Sequence, residues 1–342
     1  MNQETLDSVL KILKTRQQDL RNYFSSRGTD CYRIFNRSFA NLPLLIDRYG
    51  NYIHLSILEG PEKLVLSAAE LKKIAGVLYC PMDRLIVKQR QSLKDHEQYT
   101  PLGDDQDQLV VHENDLKFQV NLRDYIDTGL FLDHRLTREM VREECFDLSV
   151  LNLFSYTGSF SVYAASGGAK RITTVDLSAP YLEQAKNNFR LNDFLPGAFE
   201  FVQADVFQFL EDAAGKKDKW DLIILDPPTF SNSRKMERTL KIQNDYKELI
   251  EACCKVMKGS GHLLFSNNQS DFRFHKKDFP AGLQIDEITK KTTDEDFKNK
   301  PSHKCWVITG FFQGKNGHEG SSRKAPRSSG NRRPDRGRQT RS

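Results

Sequence analysis

The sequence predicts an α/β protein: a mostly parallel, seven-stranded sheet with an antiparallel edge, preceded by a small α+β domain. Three observations predict it. From about residue 148, strand-like runs alternate with helical stretches, the rhythm of successive βα units. SVLNLF (149–154), RITTVDL (171–177) and WDLIILD (220–226) are apolar with little alternation, as parallel strands covered on both faces should be. Two closing runs, LQIDEIT (283–289) and HKCWVITGFF (303–312), are joined by a charged connection and suit an antiparallel pair at the edge.

The elements follow in order. Leu6, Val9, Leu10, Leu13, Leu20 and Phe24 fall at helical spacing, and Ser25-Ser26-Arg27-Gly28 ends that helix. CYRIF (31–35), LPLLID (42–47) and YIHLSIL (52–58) read as strands, the last two separated by a turn around Gly50. Residues 67–79 read as a helix. RLIVKQR (84–90), LVVHEN (109–114) and LKFQVNL (116–122) read as further strands, with a tight turn at Asn114-Asp115. In the second half, helices are expected from 159, 179 and 206, with another near 238–257 before GHLLFS. The expected domains are a helix over 1–28, an α+β accessory domain over 29–120, a ligand domain over 121–314 and a basic tail over 315–342.

Composition narrows the class. No apolar run approaches the roughly 18 residues of a membrane helix, and the start lacks a signal peptide's apolar core. The six cysteines show no CxxC pair and no zinc-like spacing with histidine, so reduced thiols in the cytoplasm and no metal site are expected. The net charge of +5 is concentrated in the tail: residues 315–342 hold nine Lys/Arg and two Asp/Glu. That segment is too poor in apolar residues to fold alone. It serves either to contact phosphate backbones or simply to keep the chain soluble.

Ligands of such sheets lie beyond the carboxyl ends of the strands. LNLFSYTGSF (151–160) turns at Thr157-Gly158, where glycine would let the backbone pass close to a ligand. A single glycine is not the GxGxxG that cradles a pyrophosphate, which argues against a dinucleotide and leaves room for S-adenosylmethionine (SAM). Asp176 ends the second strand, where a carboxylate can accept from both ribose hydroxyls; the alternative is a cap for the next helix. Asp205 ends the third, placed to accept from an adenine amino group while Val206 packs on the ring. Asp226 ends the fourth. Upstream, Asp133 reads as a helix N-cap, and Arg135 is either a partner for the SAM carboxylate or an ordinary surface arginine. Pro227 and Pro228 stiffen the loop after Asp226, and Phe230 is placed to stack on an extruded base.

These stretches, DTGLFLDHR, NLFSYTGS, TTVDLS, QAD, DPPTFSNS, FSNN and the closing CW-IT, resemble the bacterial 23S ribosomal RNA guanine-N7 methyltransferases. Those often form the C-terminal half of a bifunctional large-subunit methyltransferase, K/L. The resemblance extends upstream through DCYRIF, IDRYGNYI and VKQRQ. It implies a Rossmann-like class I SAM-dependent methyltransferase domain, and one guanine near the peptidyl-transferase centre as target. It carries the cofactor-binding role to Asp133, Arg135, Asn152, Phe154, Ser155, Tyr156, Thr157, Gly158, Asp176, Leu177, Ser178, Asp205, Val206 and Asp226. It gives the acceptor site Asp226, Pro227, Pro228, Thr229, Phe230, Asn267 and Asn268. The expected partner is 23S rRNA or a large-subunit assembly intermediate. Two departures stand out: no counterpart of the other half, and the added Arg-rich tail.

The related cytosine-C5 RNA methyltransferases use a cysteine after the fifth strand, where this sequence has FSNNQ (265–269). Guanine N7 has a lone pair and no proton, so no general base is needed, and no His or Glu stands beside DPPTF in the sequence. The competing readings are guanine-N2 methylation, an RNA-binding assembly factor with vestigial SAM binding and, more distantly, an NAD oxidoreductase.

Overall fold

The computed structural model describes residues 1–37, 39, 42–60, 64–89, 108–124, 127–194, 199–232 and 238–310. The tail expected over 315–342, and Ser233 of DPPTFSNS, lie outside the described residues.

Asn2 caps α1 (Gln3–Ser25) by accepting from Thr5 N, and the helix buries Leu6, Val9, Leu13, Leu20 and Phe24 along one stripe. The stripe shares a core with the sheet β1 (Cys31–Asn36), β2 (Leu44–Tyr49), β3 (Tyr52–Ile57) and β4 (Leu85–Gln89), paired in that order. The first three are antiparallel; β4 joins β3 in parallel after a crossover through α2 (Ala68–Val77), which opens on a Ser67/Glu70 capping box. β5 (Gln108–Glu113) and β6 (Leu116–Asn121) form a hairpin. It turns on Asn114 and Asp115 with φ of 48° and 66°, the left-handed pair that a two-residue hairpin loop requires.

A short 3₁₀ turn, Leu132–His134, leads into α3 (Arg135–Glu144). The alternating series follows: β7 (Ser149–Leu153), α4 (Ser159–Ser166), β8 (Arg171–Asp176), α5 (Ala179–Leu191), β9 (Phe199–Gln203), α6 (Val206–Lys216) and β10 (Trp220–Leu225). A small pair, β11 (Phe230–Ser231) and β12 (Leu240–Lys241), precedes α7 (Ile242–Val256) and β13 (Met257–Asn267). β14 (Leu283–Glu287), α8 (Thr289–Thr292) and β15 (Lys304–Gly310) close the chain of elements. The large sheet has seven strands in the order β14-β15-β13-β10-β7-β8-β9. β13, β10, β7, β8 and β9 are joined in parallel, and β15 alone runs against the rest, antiparallel to both β13 and β14 at the expected edge.

Alternate residues of the central strands serve opposite cores. Val150, Ile172, Leu222 and Ile224 pack with Phe160, Tyr163 and Phe189, whereas Leu151, Leu153, Ile223 and Leu225 pack with Leu210, Leu249 and Ile250. Packing also crosses the boundary expected near residue 120. Val111, Phe118 and Val120 of the hairpin belong to the first of these cores, and Gln119 N donates to Asn188 Oδ1 of α5. Met1–Phe312 form one compact unit.

Candidate active site

The chain lays β8 and β9 outward on one side of β7, then returns to place β10 on the other side. Connections leaving β7 and β10 therefore diverge, which opens a crevice above their carboxyl ends. Leu153 pairs with Leu225, so Phe154 and Asp226 are the next residues on the two strands.

The loop after β7 is wound tightly. Phe154, Tyr156 and Gly158 all take positive φ, at 52°, 51° and 72°. For the two aromatic residues this conformation costs about 1–2 kcal/mol each and persists only if surroundings enforce it. They do: Ser155 N donates to Val175 O at 3.0 Å, Thr157 Oγ1 to Gly129 O at 2.6 Å, and Asn188 Nδ2 to Thr157 O at 2.9 Å. Asp176 completes the clamp, accepting from Tyr156 N at 2.9 Å and Ser178 N at 2.8 Å. Burial pushes its carboxyl up to about 6, against the opposing pull of the backbone N–H groups. Ser178 itself holds the N-cap position of α5 without a side-chain bond, and the Leu177 carbonyl accepts from Gln203.

Gly158 is required for a different reason than expected. A Cβ there would stand 2.7 Å from Ala185 Cβ, so its missing side chain serves the packing of α5 as well as the left-handed turn. Asn152 is buried beneath α4, its side chain leaving the sheet to donate to Ser161 Oγ of that helix at 2.9 Å. Asp205 caps α6, its Oδ1 accepting from Phe207 N and Gln208 N. Val206 is 3% exposed and packed among Leu151, Val175 and Leu210, leaving little surface for an adenine ring.

Arg135 is also placed elsewhere. Its guanidinium is buried and bound to Asp294 at 2.9 Å, Asp296 at 3.2 Å and the Cys31 carbonyl at 2.8 Å, with Glu113 at 3.3 Å. Three carboxylates and a carbonyl enclose it, so it is not free for a cofactor carboxylate. Asp133 is no N-cap: that position falls to His134, and the Asp133 carboxylate accepts from Ser302 Oγ at 2.8 Å.

The acceptor loop is clamped at two points. Ser266 Oγ donates to Asp226 Oδ1 at 2.5 Å, and Thr229 Oγ1 donates to Asn268 Oδ1 at 2.8 Å. Asn268 is thus engaged by the loop. Asn267 is buried, its Oδ1 accepting from Gln269 N, while its Nδ2 has no partner. Pro227 is buried, Pro228 half-buried, and half-buried Phe230 sits in β11 paired with Lys241. A thiol does lie near: Cys305 pairs with Ser266 across β13–β15. Burial and the Asp226 charge push it far above the ordinary thiol range, so it is no nucleophile.

A histidine stands beside Asp226 after all. His134 Nε2 is 3.5 Å from Asp226 Oδ2, and its ring stacks on His303 with centroids 4.3 Å apart. His303 Nδ1 is 3.6 Å from Asp133 Oδ2. Ligand-type atoms of Asp133, His134 and His303 all lie within 4.8 Å of one another. His134 lies within GLFLDHR but 92 residues before Asp226, and His303 lies 77 after it, so no local spacing announces the contact.

Buried polar atoms without partners include Ser155 Oγ after β7, Asn267 Nδ2 at the end of β13 and His134 Nδ1. Such groups are costly when unpaired, and the first two stand at carboxyl ends of strands in the large sheet, the side on which ligands of such sheets lie. The profile of the S-adenosylmethionine-dependent methyltransferase family matches residues 67–278. A protein solved as its complex with SAH superposes with a TM-score of 0.70 over 89% of this chain and 81% of its own, at 24% identity. A SAM-dependent methyltransferase from Agrobacterium tumefaciens gives 0.61 over 83% and 91%, at 17% identity. Fold and crevice thus define a methyltransferase whose cofactor is SAM. The ribosomal RNA large subunit methyltransferase K of Neisseria meningitidis serogroup B is 43% identical over 84% of this chain and 83% of its own length. The K/L protein of Pseudoalteromonas atlantica is 40% identical over 85% of this chain, which spans 42% of that longer protein. The chain belongs to the K and K/L methyltransferase family.

Proposed function

We propose that this protein methylates N7 of a guanine in large-subunit (23S) ribosomal RNA, near the peptidyl-transferase centre. Ribosomal RNA as substrate rests on the names of relatives that match across 84–85% of the chain. The cofactor supplies an electrophilic methyl group on its sulfonium. Asp176, with lone pairs left on both oxygens, accepts from the ribose hydroxyls, and the free oxygen of Asp205 accepts from the adenine amino group. The observation that carries the N7 assignment is the acceptor loop: a rigid Asp226-Pro-Pro turn held by Ser266 and Asn268, with the adjacent thiol buried and protonated. A site of that kind works by positioning a nucleophile that already has its lone pair, and positioning alone can contribute roughly 7–11 kcal/mol. Asn267 Nδ2, buried and unpaired, is a donor suited to guanine O6 beside N7. Phe230 stacks on the base, and the work takes place on rRNA or an assembly particle in the cytoplasm.

One observation favours a second reading. The Asp226–His134 pair can receive a proton, which methylation of guanine N2 requires and N7 does not. The two are separated by incubating the protein with tritiated SAM and deproteinised large-subunit rRNA, then resolving the nucleosides chromatographically. Label in 7-methylguanosine is expected. Label in 2-methylguanosine would establish the second reading, and no transfer would refute both.

A further inference from the structure

The buried stack beneath the acceptor loop belongs to no role so far assigned. His134 and His303 are 3% and 4% exposed, and Asp133 sits against both. Phe160 meets His134 in an edge-on contact, and the Arg138 guanidinium lies over the Phe160 ring, 5.9 Å from its centroid. A metal ion fits this cluster poorly. An imidazole lone pair lies in its ring plane, and the two rings are only 29° from parallel at 4.3 Å, so their lone pairs run side by side. The contacts instead form a chain that ends on the reacting loop. Ser302 holds Asp133 at 2.8 Å; Asp133 faces His303 Nδ1; His303 stacks on His134; and His134 Nε2 faces Asp226.

The chain also fixes where the proton sits. Asp226 and Asp133 are acceptors, so the nitrogens facing them carry hydrogen. Burial lowers the pKa of His134, against the pull of Asp226 and Asp133 and with the help of His303 and Arg138, so the ring is neutral with a single N–H. With Nε2 protonated, Nδ1 is a bare lone pair, consistent with its having no partner. The 3.5 Å separation is longer than a full hydrogen bond, and such contacts often tighten when substrate arrives.

Resting on the methyl-transfer reading above, we propose that His134 is a positioning residue: its Nε2–H, steadied by the His303–Asp133 stack, orients the Asp226 carboxylate opposite the Ser266 hydroxyl. Asp226 then presents its remaining lone pairs to the acceptor base in one fixed direction. Misplacement of such a group by a fraction of an ångström lowers turnover without loosening the cofactor.

Two measurements test this, and only one depends on catalysis. The first is long-range proton–nitrogen NMR of the full chain labelled at histidine, without cofactor. One histidine is expected as the neutral Nε2–H tautomer at about pH 7.5, its Nε2 resonance moving in Asp226→Asn and absent in His134→Phe. An Nδ1–H tautomer for the signal that His134→Phe removes, or its indifference to Asp226→Asn, would overturn the proposal whatever the substrate proves to be; His303, whose Nδ1 faces Asp133, is expected as the Nδ1–H form. The second uses tritiated SAM and deproteinised large-subunit rRNA. His134→Phe should lower kcat by about 10- to 100-fold, with SAH affinity by calorimetry within about twofold of wild type. His134→Gln, which keeps an N–H near the Nε2 position, should restore most of that loss. Equal activity in all three proteins, or a loss shared by Gln and accompanied by loss of SAH binding, would contradict it. An inactive wild type would count against the substrate reading alone and leave the NMR result to decide the role of His134.

Discussion

Asp176 shows what a single side chain contributes here. Its carboxylate braces the strained Tyr156 backbone and still has lone pairs to offer a ribose. Because burial raises it to about 6, its protonated fraction grows as pH falls below that value. In the proposed contact the ribose hydroxyls donate to the anion, so SAH affinity should be constant above about pH 7 and weaken progressively toward pH 5, read by calorimetry across that range. Affinity that is flat down to pH 5 would remove Asp176 from the ribose contact. In Asp176→Ala, SAH binding should fall by at least about tenfold, since two charge-assisted hydrogen bonds are lost. The acids at strand ends were readable in the sequence because strand periodicity places them. The direction of a side chain was not. Arg135 looked equally suited to a ligand or to solvent and is enclosed by carboxylates, and Val206 faces the core. His134 was invisible beside DPPTF because its contact is made only by the fold.

The loop joining β7 to α4 depends on its neighbours for its shape. Gly158→Ala forces an L-residue to φ of 72° and drives a methyl group to 2.7 Å from Ala185 Cβ. It should destabilise the protein by about 1–3 kcal/mol, measured by urea unfolding. Adding Ala185→Gly should recover the steric part and leave the conformational part, about 1 kcal/mol or more. Full recovery would mean that φ is not strained, and no recovery would mean that the Ala185 contact is not what excludes alanine. Helices expected from 159, 179 and 206 begin at Ser159, Ala179 and Val206, because turn and cap residues mark those starts locally. β11 and β12 span two residues each, too short for any period to show. The hairpin β5–β6 was legible as a hairpin, but its attachment to α5 through Asn188 and Asn192 is a tertiary fact.

Across the molecule, the N-terminal sheet and the large sheet are fastened by a buried ionic knot. Arg135 and Arg138 meet Glu113, Asp294 and Asp296, and Arg135 also grips the Cys31 carbonyl of β1. Three carboxylates face two guanidiniums. Burial accordingly raises Asp296 to about 6, although Arg135 opposes it. Arg135→Met takes the guanidinium away from buried Asp294 and Asp296, while Glu113 keeps Arg138, and should cost about 3–5 kcal/mol, seen as an earlier urea midpoint. An unchanged midpoint would show that the knot does not fasten the two parts. This frame holds the strand ends, and with them the Asp226-Pro227-Pro228 loop, in fixed relation to one another. Guanine N7 of large-subunit RNA as the proposed acceptor is put to the test by nucleoside mass spectrometry of that RNA from a strain lacking this chain. 7-Methylguanosine should be lost and should return when the purified protein and SAM are added; unchanged 7-methylguanosine, or loss of 2-methylguanosine in its place, would rule out N7 as the acceptor.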